Sequence, residues 1–207
     1  MKNLLLIFTR NPELGKVKTR LANDVGDKNA LAIYKILLNH THKITKPIEV
    51  AKQVWYSENI QEDDLWNEGD FEKHLQVGKD LGARMQLAFQ KGFQSGYKNI
   101  IVIGSDLYDV NSKEIEKAFA TLETHDTIIG PAEDGGYYLL GLTEMIPELF
   151  ENKPWGTDSV LQKTLKNLSN KSYELLEEKN DVDYWTDIED IPIFQEVLKQ
   201  TKQNTYD

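Results

Sequence analysis

The first apolar run, "NLLLIFT" at residues 3–9, carries no charge and is too short for a helix, so it predicts a strand buried on both faces. Arg10 ends it and a cationic loop follows. From about Asp24 to Ile44 the positions Leu31, Tyr34, Leu37, Leu38 and Thr41 recur at helical spacing, closing before Pro47. "QVWY" (53–56) reads as a second strand, "QEDDLWNEGD" as a surface excursion, and "HLQV" (74–77) as a third strand. Leu81, Met85, Ala88 and Phe89 then mark a helix from Asp80 to Phe93, with Gly78 and Gly82 about its start and Arg84 on the edge of the apolar stripe. "NIIVIGSD" is the clearest strand, followed by a helix through Ile115, Ala118, Phe119 and Leu122. "DTIIGPA" and "GYYLLGL" predict two strands flanking "EDGG". Val160, Leu161, Thr164, Leu165 and Leu168 predict a helix, "SYELLE" an edge strand, and Ile193, Val197 and Leu198 a last helix.

Strands alternating with helices in this order predict an α/β layer fold with a largely parallel sheet, whose ligands gather at the carboxyl ends of the strands. No repeat or linker divides the chain, so residues 1–200 are expected to form one domain and 201–207 a frayed tail. The 207 residues are 40% hydrophobic and 28% charged, without an apolar window long enough for a membrane span, so no membrane partner is expected. The start carries no secretory pattern, and cysteine is absent, which rules out disulfides and thiolate chemistry and fits a cytoplasmic protein. His40, His42, His74 and His125 show no metal-ligand spacing.

A net charge of -10 argues against a nucleic-acid polymer as partner but leaves small anions open. Of 24 cationic residues only three are arginine, Arg10, Arg20 and Arg84, and an arginine fork suits phosphate or carboxylate oxygens. The loop "FTRNPELGKVKTRLA" gathers Arg10, Lys16, Lys18 and Arg20 around Pro12 and Gly15, immediately after the first strand. It is not a P-loop, because Arg10 stands five residues before Gly15 and Val17 follows Lys16. A nucleotide diphosphate would meet these cations and the free N–H groups of the following helix.

Asp106 in "IGSD" falls just past a buried strand, where a carboxylate faces the crevice and suits magnesium; the same stretch also suits a turn before the next helix. Asp109 is either a second ligand or a loop cap. "AEDGGYY" reads equally as a hairpin turn or as a place where Gly135 and Gly136 admit a ligand, with Asp134 orienting a hydroxyl or acting as base. Only one of Tyr137 and Tyr138 can face a pocket, and Trp155 is either core or pocket wall. Asp183 in "DVDYW" is a loop residue or a late metal ligand. Thr186 and Glu189 have the spacing of a capping box for the last helix, and Gly156 to Asp158 that of a helix start.

Six stretches in the same order, "FTRNPELGKVKTRLA", "GKDLGARM", "IGSDL", "GPAEDGGYYLLGL", "PWGTDSVLQKTL" and "DVDYWTDIED", resemble the bacterial nucleotide-diphospho-sugar-transferase-like family linked to arsenosugar biosynthesis, over residues 2–198. More distantly, the chain is similar to the guanylyltransferases of 2-phospholactate-derived and molybdenum cofactors. The resemblance implies a three-layer α/β/α Rossmann-like GT-A fold with a mostly parallel mixed sheet. It implies a nucleotide loop of Arg10, Gly15, Lys18 and Arg20, a second nucleotide element at Gly82 and Arg84, Mg2+ or Mn2+ on Asp106, and an acceptor stretch at Asp134, Gly135 and Gly136.

The chain departs from that pattern at Leu107-Tyr108, in "PWGT", and at "DVDYWTD", the last of which weakens the case for Asp183. The expected activity is glycosyl transfer from a nucleotide-diphospho-sugar to a small-molecule acceptor. The alternatives are nucleotidyl transfer from a nucleoside triphosphate and a non-catalytic nucleotide-binding protein, with a homodimer left open.

Overall fold

The computed structural model describes residues 2–67 and 71–203, the last four in backbone only. The end of the acidic excursion (68–70) and of the tail (204–207) lies outside the described residues. Strand β1 (Asn3–Thr9) sends Leu5 and Ile7 to one face and Leu4 and Leu6 to the other, all fully buried. That is why its apolar run shows no alternation: both faces are covered.

The remaining strands are β2 (Ala51–Tyr56), β3 (Phe71–Leu75), β4 (Asn99–Ile103), β5 (Thr127–Pro131), β6 (Tyr137–Leu142) and β7 (Tyr173–Leu175). They form a seven-stranded sheet in the order β3-β2-β1-β4-β6-β5-β7. Only β6 runs against its neighbours; the other pairings are parallel.

Helices α1 (Thr19–Val25), α2 (Asp27–Thr45), α4 (Ser112–Thr121) and α6 (Pro192–Gln203) share one face, where Leu21, Leu37, Phe119 and Phe194 pack on Leu5, Ile7, Ile101 and Ile103. Helices α3 (Leu81–Gln94) and α5 (Val160–Asn167) cover the other, where Met85, Ala88 and Phe89 meet Leu4, Leu6, Ile100 and Val102. The architecture is therefore a three-layer α/β/α sandwich with a mixed, mostly parallel sheet. From β1 the chain crosses toward β2 and β3, and from β4 toward β5 and β6, so the loops leaving these two adjacent strands part and open a crevice at their carboxyl ends.

Several elements differ from their expected bounds. The expected 24–44 helix is two, broken at Gly26, whose positive φ of 82° ends α1 and starts α2, so Arg20 lies on a helix and not in the loop. β3 begins at Phe71, because its register on β2 pairs Lys52 with Phe71 and Tyr56 with Leu75. Thr186 caps nothing: it lies in a 3₁₀ turn, Trp185–Asp187, and α6 opens with Pro192 in its first turn, where a missing N–H costs nothing. Gly156 to Asp158 form turns ahead of α5, which starts at Val160, and α6 extends to Gln203, three residues into the stretch expected to fray.

Leu5→Ala should lower unfolding free energy by about 2–5 kcal/mol, whereas Leu14→Ala, at a residue 57% exposed, should change it by less than about 0.5 kcal/mol. Urea denaturation of the two variants measures both.

Candidate functional site

Lys18 closes the loop after β1 in the left-handed region (φ 46°, ψ 48°), a conformation that costs a non-glycine residue about 1–2 kcal/mol. Its side chain runs inward and is 6% exposed. The ammonium lies 3.1 Å from Asp106 Oδ2 and 3.3 Å from Asp183 Oδ1, while Arg20 Nη1, one turn along α1, lies 2.9 Å from Asp183 Oδ2. Burial pulls the Lys18 pKa down, but Asp106 and Asp183 outweigh it and hold the value above that of a free lysine. The ammonium stays charged.

Asp106 follows β4 and is not used as a helix cap. Asn111 caps α4, accepting from the Glu114 N–H while Glu114 accepts from the Asn111 N–H. Asp109 faces Lys179, whose buried ammonium lies 3.6 Å from Asp109 Oδ2 and 3.0 Å from Glu114 Oε1. Lys179 thereby pins the start of the 179–183 segment, and the Val182 N–H donates to the Asp106 carbonyl at 3.3 Å. Asp187 accepts from the N–H groups of Asp183 (2.8 Å) and Tyr184 (2.6 Å), and Trp185 N–H donates to Asp24 of α1 at 3.1 Å.

The same segment brings in Asp181, which sequence reasoning passed over. Its Oδ1 is buried without a hydrogen-bond partner. Burial, then the charge of Asp106, with smaller contributions from Asp134 and Asp183, push its pKa up to about 8 against the opposing pull of Lys18. The repeated aspartate in "DVD" was the available signal, since it sets a second carboxylate two residues from Asp183.

Under this charged cluster lies a second missed group. Tyr34 Oη accepts from the Arg10 N–H (2.9 Å), donates to the Arg10 carbonyl (3.1 Å), and sits 3.2 Å from Ser105 Oγ and 3.3 Å from Thr9 Oγ1. One buried phenol thus ties the end of β1 to the residue before Asp106. Asn11 likewise fastens the first loop to the loop after β2, accepting from Glu58 N–H at 3.0 Å and donating to the Asn59 carbonyl at 2.7 Å.

The other sequence candidates divide. Asp134 is exposed; its Oδ1 accepts from the Gly136 N–H at 2.8 Å, leaving Oδ2 for another partner, and its charge reaches Asp181. Lys16 pairs with Glu13 of its own loop at 2.6 Å, beside Gly15 with a φ of 73°. Arg10 lines, with Lys35, Leu38, Asn39, Tyr56 and Trp66, a cavity of about 200 Å³ beside α2. Arg84 donates to the Gly78 carbonyl at 3.3 Å and reaches Gln76, whose amide donates to the carbonyls of Thr9 and Trp55 at the ends of β1 and β2.

Four candidates stand in packing positions. A Cβ on Gly82 would come within 2.4 Å of the Phe150 carbonyl and 2.5 Å of the Trp155 ring, so that glycine seats Trp155 and has no face left for a nucleotide. Trp155 is partly buried against the core, edge-on to Tyr137 at 6.4 Å; the Tyr137 hydroxyl reaches Met85 Sδ, at 4.0 Å. Gly135, with a φ of 84°, faces the backbone of Asp158, where a Cβ would lie 2.1 Å from the carbonyl oxygen. The close approach that its missing side chain permits is made by the chain itself.

The departures beside the site are also packing. Leu107 is buried, and Tyr108 lies tilted against the His40 ring at 4.8 Å and meets Phe194 of α6 edge-on at 4.9 Å. Among the described residues no group of three or more His, Asp or Glu side chains is already arranged around a metal position, and no helix is long and apolar enough to cross a membrane.

A family profile described as "Uncharacterized protein conserved in bacteria (DUF2064)" matches residues 40–157, more than half of the chain, and the chain belongs to that family. The chain is similar in structure to a candidate nucleotide-diphospho-sugar transferase from Desulfovibrio desulfuricans G20, with 29% identity, a TM-score of 0.84, and coverage of 98% of this chain and 96% of that one. It is similar at the level of fold to a cytidylyltransferase from Leptospira borgpetersenii serovar Hardjo-bovis (14% identity, TM-score 0.59, covering 100% and 96%). A CMP:2-keto-3-deoxy-manno-octonic acid synthetase solved with CTP shares the fold too (10% identity, TM-score 0.58, covering 99% and 100%). No match was found among curated proteins. These likenesses agree with the resemblance to nucleotide-diphospho-sugar transferases drawn from the six sequence stretches.

Because the folded pKa of Asp181 is raised above its unfolded value, its contribution to stability is present below pH 4 and is lost as pH rises toward 8. Thermal unfolding of the metal-free protein should therefore show Asp181→Asn gaining on wild type between pH 5 and pH 9. Gly82→Ala should cost about 1–3 kcal/mol in a denaturant titration, through displacement of Trp155.

Proposed function

We propose that this member of the DUF2064 family is a metal-dependent glycosyltransferase that takes a nucleotide-diphospho-sugar as donor and a small molecule as acceptor. The observation that carries the reading is the meeting of Lys18, Arg20, Asp106 and Asp183 at the carboxyl ends of β1 and β4, where a parallel α/β sheet binds its ligands. The likeness to the Desulfovibrio protein supports the choice of donor.

The residues suit a divalent cation. Asp106 and Asp183 already share one positive group, and Asp181 holds a buried oxygen with no partner. Magnesium or manganese commonly takes one or two carboxylates and completes its shell with water and phosphate oxygens. Asp106 and Asp183 would hold it; once bound, it would neutralise the diphosphate that departs from the sugar. Lys18 and Arg20 would carry the rest of that negative charge, Lys18 as a desolvated point charge and Arg20 as a fork at the rim. Arg84, reaching the ends of β1 and β2 through Gln76, would fix the nucleoside portion. Asp134, with Oδ2 uncommitted, would orient the acceptor hydroxyl. A fixed loop geometry serves this chemistry because misplacement of a cation by an ångström forfeits much of its effect, and Tyr34 supplies it.

The shared fold of the two cytidylyl- and CMP-transferring proteins favours nucleotidyl transfer as a second reading, with the same cations facing departing pyrophosphate. Incubation with UDP-, GDP-, CDP- and TDP-sugars, and in parallel with the four triphosphates plus sugar phosphates, separates the two. Release of nucleoside diphosphate, lowered about 10²–10³-fold in kcat by Asp106→Asn, is the expected result. Pyrophosphate release alone would replace the first reading with the second. Tight nucleotide binding that ignores metal and survives Asp106→Ala would make the protein a non-catalytic nucleotide binder.

A further inference from the structure

We infer that Lys18 is a built-in competitor for the divalent cation: without nucleotide its ammonium holds the place between Asp106 and Asp183, and the cation enters when a diphosphate draws that ammonium outward. The inference rests on the assignment of Asp106 and Asp183 to the cation.

Three observations point to it. First, of Lys16, Lys18 and Arg20 only Lys18 is buried between two carboxylates; Lys16 is exposed on Glu13, and Arg20, on α1, is 55% exposed and reaches only Asp183. Second, the backbone at Lys18 is held in the left-handed region, with the Ala22 N–H donating to its carbonyl at 2.8 Å, and this fixes the direction in which the side chain leaves the loop. Third, the ammonium does not satisfy every carboxylate oxygen of the crevice. Lys18 is shared by Asp106 and Asp183, Arg20 reaches Asp183 alone, and Asp181, on the same segment as Asp183, keeps a buried Oδ1 without a partner. A divalent ion does more for such a cluster than an ammonium can.

Lysine suits the part better than arginine. Its charge sits at the end of a flexible four-carbon stem, and it can move from carboxylate oxygens to phosphate oxygens without breaking a two-pronged contact. The consequence is coupled binding: a ligand that removes Lys18 from the cluster raises cation affinity, and the cation raises affinity for that ligand by the same factor. The free enzyme would then hold metal weakly and nucleotide without metal weakly, and the two together tightly.

The test uses Mn2+ alone, titrated into the full-length protein without nucleotide and followed by the electron paramagnetic resonance of free manganese, for wild type, Lys18→Met and Lys18→Arg. If the ammonium occupies the position nine-tenths of the time or more, Lys18→Met should bind Mn2+ about tenfold more tightly or better. Lys18→Arg keeps a cation there and should bind no more tightly than wild type. Circular dichroism without metal checks that each variant is folded. Equal manganese affinity in wild type and folded Lys18→Met would overturn the competition while leaving the cation assignment standing. Tighter binding by Lys18→Arg than by wild type would overturn it as well, and this arm decides the matter if Lys18→Met does not fold. Manganese binding by none of the three would overturn both the competition and the metal reading.

Discussion

An ammonium held between two carboxylates, Lys18 on Asp106 and Asp183, is the constraint on which the rest of the site depends. It joins three separate parts of the chain: the loop after β1, the loop after β4, and the segment before α6. The ammonium is buried while the Asp106 and Asp183 side chains stay 41% and 31% exposed, so the desolvated charge depends on the placement of these partners and each must be fixed independently. The structure does this with contacts that lie outside the Lys18 cluster. Tyr34 joins Arg10 to Ser105, Lys179 joins Asp109 and Glu114 to the 179–183 segment, and Asp187 and Asp24 hold the backbone at 183–185. The charged groups are thereby placed at the switch point between β1 and β4, where sheet topology already opens a crevice.

Much of the frame was legible because burial on both faces leaves a plain sequence signature. "NLLLIFT" and "NIIVI" became the adjacent central strands, and a cation-rich loop after one and an aspartate after the other had to share an edge of the sheet. The charged half of the site follows from those two facts. β3 was harder. It is a partly exposed edge strand whose limits are set by pairing with β2 and not by its own pattern, and the prediction missed its start.

The misreadings share one cause, which is that residue type does not reveal what lies opposite. Tyr34 counted as an apolar helix position because its ring is buried, yet its hydroxyl is the polar junction of two loops. Gly82 and Gly135 suggested room for a ligand, and that room is filled by Trp155 and by the backbone of Asp158. Asp181 and Asp183 differ by two positions on one tightly turned segment, and only the fold shows that one is paired with Lys18 while the other keeps a buried oxygen without a partner. Leu107, Tyr108 and Trp185, where the chain leaves the pattern it resembles, pack toward α6, α2 and α1, so these changes alter what supports the loops and not the charged groups they carry.

The most direct measurement of the central claim is a crystal structure with Mn2+ and a nucleoside diphosphate, using the anomalous scattering of manganese to place the ion. The account predicts a manganese peak on Asp106 and Asp183, with the diphosphate touching Lys18 and Arg20. A nucleotide seated away from β1 and β4, for instance in the cavity lined by Arg10, Lys35 and Trp66, with no ion on Asp106, would contradict it.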